Sequence, residues 1–289
     1  MQLTLADGRM LGYAEYGDPN GRPLVFLHGF PGSRLAGAIL DRAAHARGVR
    51  VLATDRPGLG LSSRQPGRTL LDTAQDVREF ADTLRLGTFT VLGESGGGPY
   101  ALACAHELTD VLQGALVVCG LGPATSPTAT AGIASKERIG YAIGSRVPLL
   151  AARTLLPVAA CARRWPRRFV HVTRWQLCRA DREVLQGQLG ELVAADFAEA
   201  FRQGYRGVAD DLTLLFRPWP FDPSAIRVPV VFFHGTDDRT VSLIATRELA
   251  GTVPDSQLHV YEDDGHFSLM ARNAGDVLER ALELSVALP

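Results

Sequence analysis

A chain of 289 residues is long enough for one large α/β domain with an insertion, or for two ordinary domains. It is 46% hydrophobic and 21% charged, and its 30 basic and 31 acidic residues leave a formal charge of −1, so it carries no global field to gather nucleic acid or acidic lipid. Met1-Gln-Leu-Thr-Leu-Ala-Asp-Gly8 has neither a basic nor a long apolar region, and no later run reaches bilayer-spanning length. The expectation is a cytoplasmic protein without an integral membrane segment.

In chain order, Leu11 to Tyr16, Leu24 to Leu27, Val49 to Thr54, Thr88 to Leu92 and Ala115 to Val118 read as strands. Helical patterns fall between them, at about Leu35 to Arg47, Leu70 to Leu86 and Gly97 to Glu107. From about Gly122 to Pro218 no convincing strand occurs. This stretch is arginine-rich, is broken by Pro148, Pro157 and Pro166, and has an amphipathic period from Asp181 to Phe201. The pair Asp210-Asp211 reads as a helix start, where carboxylates face the positive end of the dipole. Strands resume at Val230 to Phe233 and Gln257 to Tyr261, each followed by a helical pattern, Leu243 to Thr252 and Phe267 to Leu284.

Such alternation predicts an α/β fold built on a mostly parallel sheet. Leu24 to Leu27 and Val230 to Phe233 are continuously apolar, which requires helices on both faces. The expected organisation is a core of residues 1–121 and 219–289, with residues 122–218 inserted between late strands as a helical cap. Cys104, Cys119, Cys161 and Cys178 have no CxxC or metal spacing and read as reduced residues of core or cap. Arg163-Arg-Trp-Pro-Arg-Arg168 reads as a solvated arginine face over packed aromatics.

The chemistry concentrates at Gly93-Glu-Ser-Gly-Gly97, between the apolar run Phe89 to Leu92 and the helical run from Pro99. A serine on a sharp strand-to-helix turn is a nucleophile elbow, and its flanking glycines give room where Cβ atoms would collide. A serine hydroxyl needs a base, and that base needs an orienting anion. Of the seven histidines, His266 is placed best, in the loop between the last strand and the last helix. The loop after Val230 to Phe233 offers Asp237 and Asp238. Asp238 is favoured because Val241 can return the chain to the core and leave the loop centre projecting toward Ser95, with Asp237 as a turn residue. His28-Gly-Phe-Pro-Gly-Ser33 follows an early strand and can aim the Phe30 amide, with that of Gly96, at a developing oxyanion. Phe30, Tyr100, Phe267 and Met270, with His28, are candidates for the substrate pocket by proximity to these motifs. Core packing, or for His28 a loop-shaping hydrogen bond, is the alternative. His45, His106, His171 and His259 stand alone, so no metal and no cofactor are expected.

These motifs, with Asp55-Arg-Pro-Gly-Leu-Gly-Leu-Ser62, Gly235-Thr-Asp-Asp238 and Gly265-His266, resemble the α/β-hydrolase fold superfamily over nearly the whole chain. The resemblance implies a central sheet of about eight strands. It also implies Ser95 as nucleophile, Asp238 as acid, His266 as base, Phe30 and Gly96 as oxyanion donors and Asp55 to Ser62 as a structural turn. Serine at the elbow disfavours the chemistry of relatives resembling epoxide hydrolases and haloalkane dehalogenases. The expected function is hydrolysis of a carboxylic ester or related, mostly apolar small-molecule acyl substrate. Carbon–carbon hydrolysis, thioester cleavage, and acyl transfer or cyclisation use the same triad, and a non-catalytic binding protein is the alternative from another class. The sequence is equally consistent with a monomer and a homodimer.

Overall fold

The computed structural model describes residues 1–135, 138–139 and 148–285, so Lys136 and parts of the 122–218 insertion lie outside the described residues. Eight strands form one sheet: β1 (Gln2–Thr4), β2 (Met10–Gly17), β3 (Arg22–Leu27), β4 (Val49–Thr54), β5 (Phe89–Glu94), β6 (Leu112–Val118), β7 (Val230–Gly235) and β8 (Ser256–Tyr261). Their order is β1-β2-β4-β3-β5-β6-β7-β8, antiparallel at β1 and β2 and parallel from β4 onward. The expected eight-stranded, mostly parallel sheet is therefore present. The short edge strand β1 is additional to the runs read from sequence, because its three residues are largely exposed and carry no apolar run.

Side chains alternate across the sheet, and both faces are covered. Val25, Leu27 and Val91 point into one core with Phe80, Leu102 and Leu249, from α2 (Leu70–Thr83), α3 (Gly98–Glu107) and α9 (Leu243–Thr252). Leu24, Phe26 and Leu92 point into the other, with Ala44 of α1 (Asp41–Arg47) and Val277 of α10 (Ser268–Leu284). This two-sided burial explains why β3 and β7 are continuously apolar.

Between β6 and β7 lie α4 (Pro148–Arg164), α5 (Pro166–Thr173), α6 (Arg179–Val184), α7 (Gln188–Ala200) and α8 (Arg206–Leu215), with no strand among the described residues of this stretch. Phe201, Val208, Ala159 and Ala162 form a separate small core with Leu59. One expectation here is corrected. Asp210 and Asp211 sit inside α8, which begins at Arg206, and Asp211 is fully buried rather than capping a helix. Two buried arginines, described below, hold it there.

Candidate active site

All parallel strands end at one edge, and the loops leaving that edge carry the candidate residues. Ser95 follows β5 with φ +52°, in the left-handed region that a residue with a Cβ avoids. The glycines make that turn possible: a Cβ on Gly97 would lie 2.0 Å from the Leu27 carbonyl oxygen, and one on Gly96 2.5 Å from Phe30 Cβ.

The loop after β8 brings His266 to Ser95, whose hydroxyl donates to His266 Nε2 at 3.0 Å. On the other side of the ring, His266 Nδ1 donates to Asp238 Oδ2 at 2.8 Å. The second Asp238 oxygen accepts from the Thr240 and Val241 amides at 2.7 and 2.9 Å, which fixes the carboxylate. Burial alone would raise the Asp238 carboxyl, but His266, His234 and the Val241 amide hold it below the usual range. Burial likewise opposes protonation of His266. The Asp238, Asp181 and Glu94 carboxylates outweigh it and push the imidazole up to about 9. Asp237 is exposed, and its amide donates to the Asp264 carbonyl.

The loop after β3 faces Ser95, and a Cβ on Gly29 would be 3.4 Å from Ser95 Cβ. The Phe30 N–H finds no acceptor among the described residues, and its nitrogen lies 3.0 Å from where a Gly96 Cβ would stand. The Phe30 amide therefore lies against Gly96, beside the Ser95 turn. Phe30 and Phe267 line a cavity of about 70 Å³ next to Ser95, with Ile39, Leu192, Val193 and Phe197 among its apolar walls.

Three of the expected pocket residues do not reach this cavity. His28 is buried and bonded internally: its Nδ1 donates to the Gly29 carbonyl and its Nε2 accepts from the Arg56 amide, while burial and Arg56 hold it neutral. Tyr100 is fully buried on α3, where its hydroxyl donates to Asp211. Met270 packs in the core beneath α10. Proximity in the chain misplaced these residues: α3 and α10 turn Tyr100 and Met270 away from the site, and the loop hydrogen bonds of His28 hold its ring inward.

Four residues that sequence reasoning did not connect to the site hold it together. Arg56, 1% exposed, donates to the His28 carbonyl and, at 2.8 Å, to the Gly29 carbonyl, and pairs with Asp211 at 2.8 Å. Asp211 also pairs with Arg68 at 2.6 Å. Asp181 of α6 accepts from the amides of His266, Phe267 and Ser268 at 3.0, 2.9 and 2.8 Å. Asp196 of α7 accepts from the Ser33 amide and hydroxyl at 2.8 and 2.6 Å. The available signal was an aspartate in an apolar setting, as in Ala194-Ala-Asp-Phe-Ala198. Asp55 accepts from the Arg34 and Leu61 amides and pairs with Arg34, which makes it part of a turn.

Cys119 Sγ, an Asp238 oxygen and a His266 nitrogen lie within 4.8 Å of one another, a possible ligand set among the described residues. It fits a cation poorly. Asp238 and His266 already bind each other, and burial pushes the Cys119 thiol well above its ordinary range, away from the thiolate a metal needs.

A family profile described as "Alpha/beta hydrolase family" matches residues 24–280. The chain belongs to the alpha/beta hydrolase family. Among its relatives in this family, the non-heme chloroperoxidase CPO-A1 of Kitasatospora aureofaciens is 26% identical over 269 residues, covering 91% of this chain and 90% of that one. A 2-hydroxymuconate semialdehyde hydrolase of Pseudomonas putida is 27% identical over 265 residues, with coverage of 86% and 82%. The fold is similar to the enol-lactonase from Burkholderia xenovorans LB400, with a TM-score of 0.71 at 19% identity over 99% of this chain and 100% of that one. It is also similar to an esterase from Rhodococcus sp. ECU1013, with a TM-score of 0.66 at 23% identity over 99% and 98%. No described helix of this alpha/beta hydrolase is long and apolar enough to cross a membrane.

Proposed function

We propose that this chain is a serine hydrolase that cleaves a carboxylic ester or related acyl compound through an acyl-enzyme on Ser95. The observation that carries the reading is the unbroken hydrogen-bond chain from Asp238 through His266 to Ser95, with steps of 2.8 and 3.0 Å, at the floor of a mostly apolar cavity. Ser95 Oγ attacks the carbonyl carbon as its proton passes to His266 Nε2. The oxyanion takes hydrogen bonds from the Phe30 and Gly96 amides. The leaving group departs with that proton. Water, deprotonated by the same imidazole, then releases the acid and restores Ser95. Asp238 holds the ring and stabilises the imidazolium without taking its proton. The inserted helices, residues 122–218, act as the cap that encloses the acyl group.

Intact-mass analysis after treatment with a fluorophosphonate tests this reading. One adduct per chain in the wild type and none in Ser95→Ala is the expected result. A folded wild type that is neither labelled nor active on short nitrophenyl esters would overturn it.

A further inference from the structure

Two acidic residues, Glu94 and Asp196, interrupt the apolar wall of the cavity beside Ser95, and no arginine or lysine is among its described lining residues. Glu94 ends β5 directly before the nucleophile, and its carboxyl takes no hydrogen bond from any described residue. Asp196 is 6% exposed; Ser33 fills its Oδ1, while its Oδ2 has no partner among the described residues. Burial pushes both carboxyls up, Asp196 to about 8, where Glu94 raises it further, while His266 opposes the rise of Glu94. Ser33 accounts for one oxygen of Asp196, but the other, and the Glu94 carboxyl, give a pocket meant for a plain alkyl chain nothing. Carboxyl oxygens facing an apolar space without donors are unfavourable, and methyl groups of equal size would serve better. A bound group that donates hydrogen bonds and carries positive charge removes the penalty, whereas a carboxylate deepens it.

Resting on the proposed acyl-enzyme reading, we propose that the cavity selects short acyl groups bearing a protonated amine, which Glu94 and Asp196 receive. Glu94, Asp196 and Ser95 line one cavity of about 70 Å³, so an amine received there lies only a few bonds from the scissile carbonyl. A hydroxyl would satisfy one oxygen, whereas an ammonium brings three donors and a positive charge that favours the ionised form of both acids, so it is the donor that suits them.

Matched ethyl esters of β-alanine, butyric acid and succinic acid, with acid release followed by titration, give the test. In the wild type, kcat/KM for the β-alanine ester exceeds that for the isosteric butyrate by about tenfold or more, and the half-ester of succinate is the poorest. Glu94→Gln and Asp196→Asn each bring the β-alanine to butyrate ratio toward one. A wild-type ratio at or below one, or a ratio that neither substitution moves, overturns the inference. Calorimetry on Ser95→Ala keeps this test separate from the hydrolase reading. Tighter binding of β-alanine ethyl ester than of ethyl butyrate supports amine selection even if the wild type cleaves neither ester, and equal binding refutes it even if both are cleaved.

Discussion

Asp237 and Asp238 are adjacent in the chain, yet one is exposed and the other is buried against His266. Replacing Asp238 with Asn keeps the shape but favours the wrong imidazole tautomer, so kcat should fall on the order of 10³–10⁴-fold. Asp237→Asn should stay within a few-fold of wild type, as steady-state kinetics on one ester will show. His266 must be neutral to accept the serine proton. With its value raised to about 9, kcat/KM should rise with pH and level off only above that point. Stability should move the other way. His266 lies above its ordinary 6.5, so its contribution is complete below about 6.5 and lost as pH climbs through about 9. Asp196, raised from 3.8 to about 8, retains a proton that the unfolded chain has released, so stability also falls as pH rises from about 3.8 to about 8. Urea unfolding at about pH 6 and about pH 9 should give the lower midpoint at the higher pH; equal midpoints would contradict both shifts. Of the candidate site, the residues legible in the sequence were those whose placement is fixed by a local turn, such as Ser95 and His266 after their strands. Tyr100 and Met270 were misread because helix phase, not chain distance, decides which way a side chain faces.

At the level of elements, three helices between β6 and β7 each send one buried aspartate into a different loop of the sheet edge. Asp181 caps the His266 turn, Asp196 holds Ser33, and Asp211 holds Arg56 and through it the His28 and Gly29 carbonyls. Strand and helix positions were readable because two-sided burial and capping residues leave periodic local patterns. These three ties were not, since each joins residues far apart in the chain. Asp211 resembled a helix start only because its partners, Arg56 and Arg68, are invisible locally. Burial would raise the Asp211 carboxyl, but the two guanidinium groups hold it far below its ordinary range, so it is charged throughout the physiological window. Asp211→Ala therefore leaves two arginines buried without their counter-ion, and should cost about 3–5 kcal/mol in urea unfolding. Because Arg56 also positions the loop bearing the Phe30 amide, kcat should fall with it. A loss below about 1 kcal/mol would mean that solvent reaches these arginines and that the tie is not a structural one.

For the molecule as a whole, these ties bear on whether the inserted helices open independently of the sheet. An insertion resting on apolar contacts alone can peel away as a unit, at a free energy well below that of global unfolding. Here, separating α6, α7 and α8 from the sheet would expose Asp181, Asp196 and Asp211 and strip their partners on three loops at once. Four donor groups, on His266, Phe267 and Ser268, would lose Asp181 alone. Such an opening disassembles the candidate site rather than exposing it, so ligand exchange should proceed through the cavity mouth. Native-state hydrogen exchange tests this directly. Protected amides of α6 to α8 should report the same opening free energy as those of β5 and β6, and Asp181→Ala should lower the value for α6 and the start of α10 before that of the sheet. A wild-type opening of α6 to α8 several kcal/mol below the global value would show instead that the insertion moves as a lid, with the three aspartates closing it anew in each cycle.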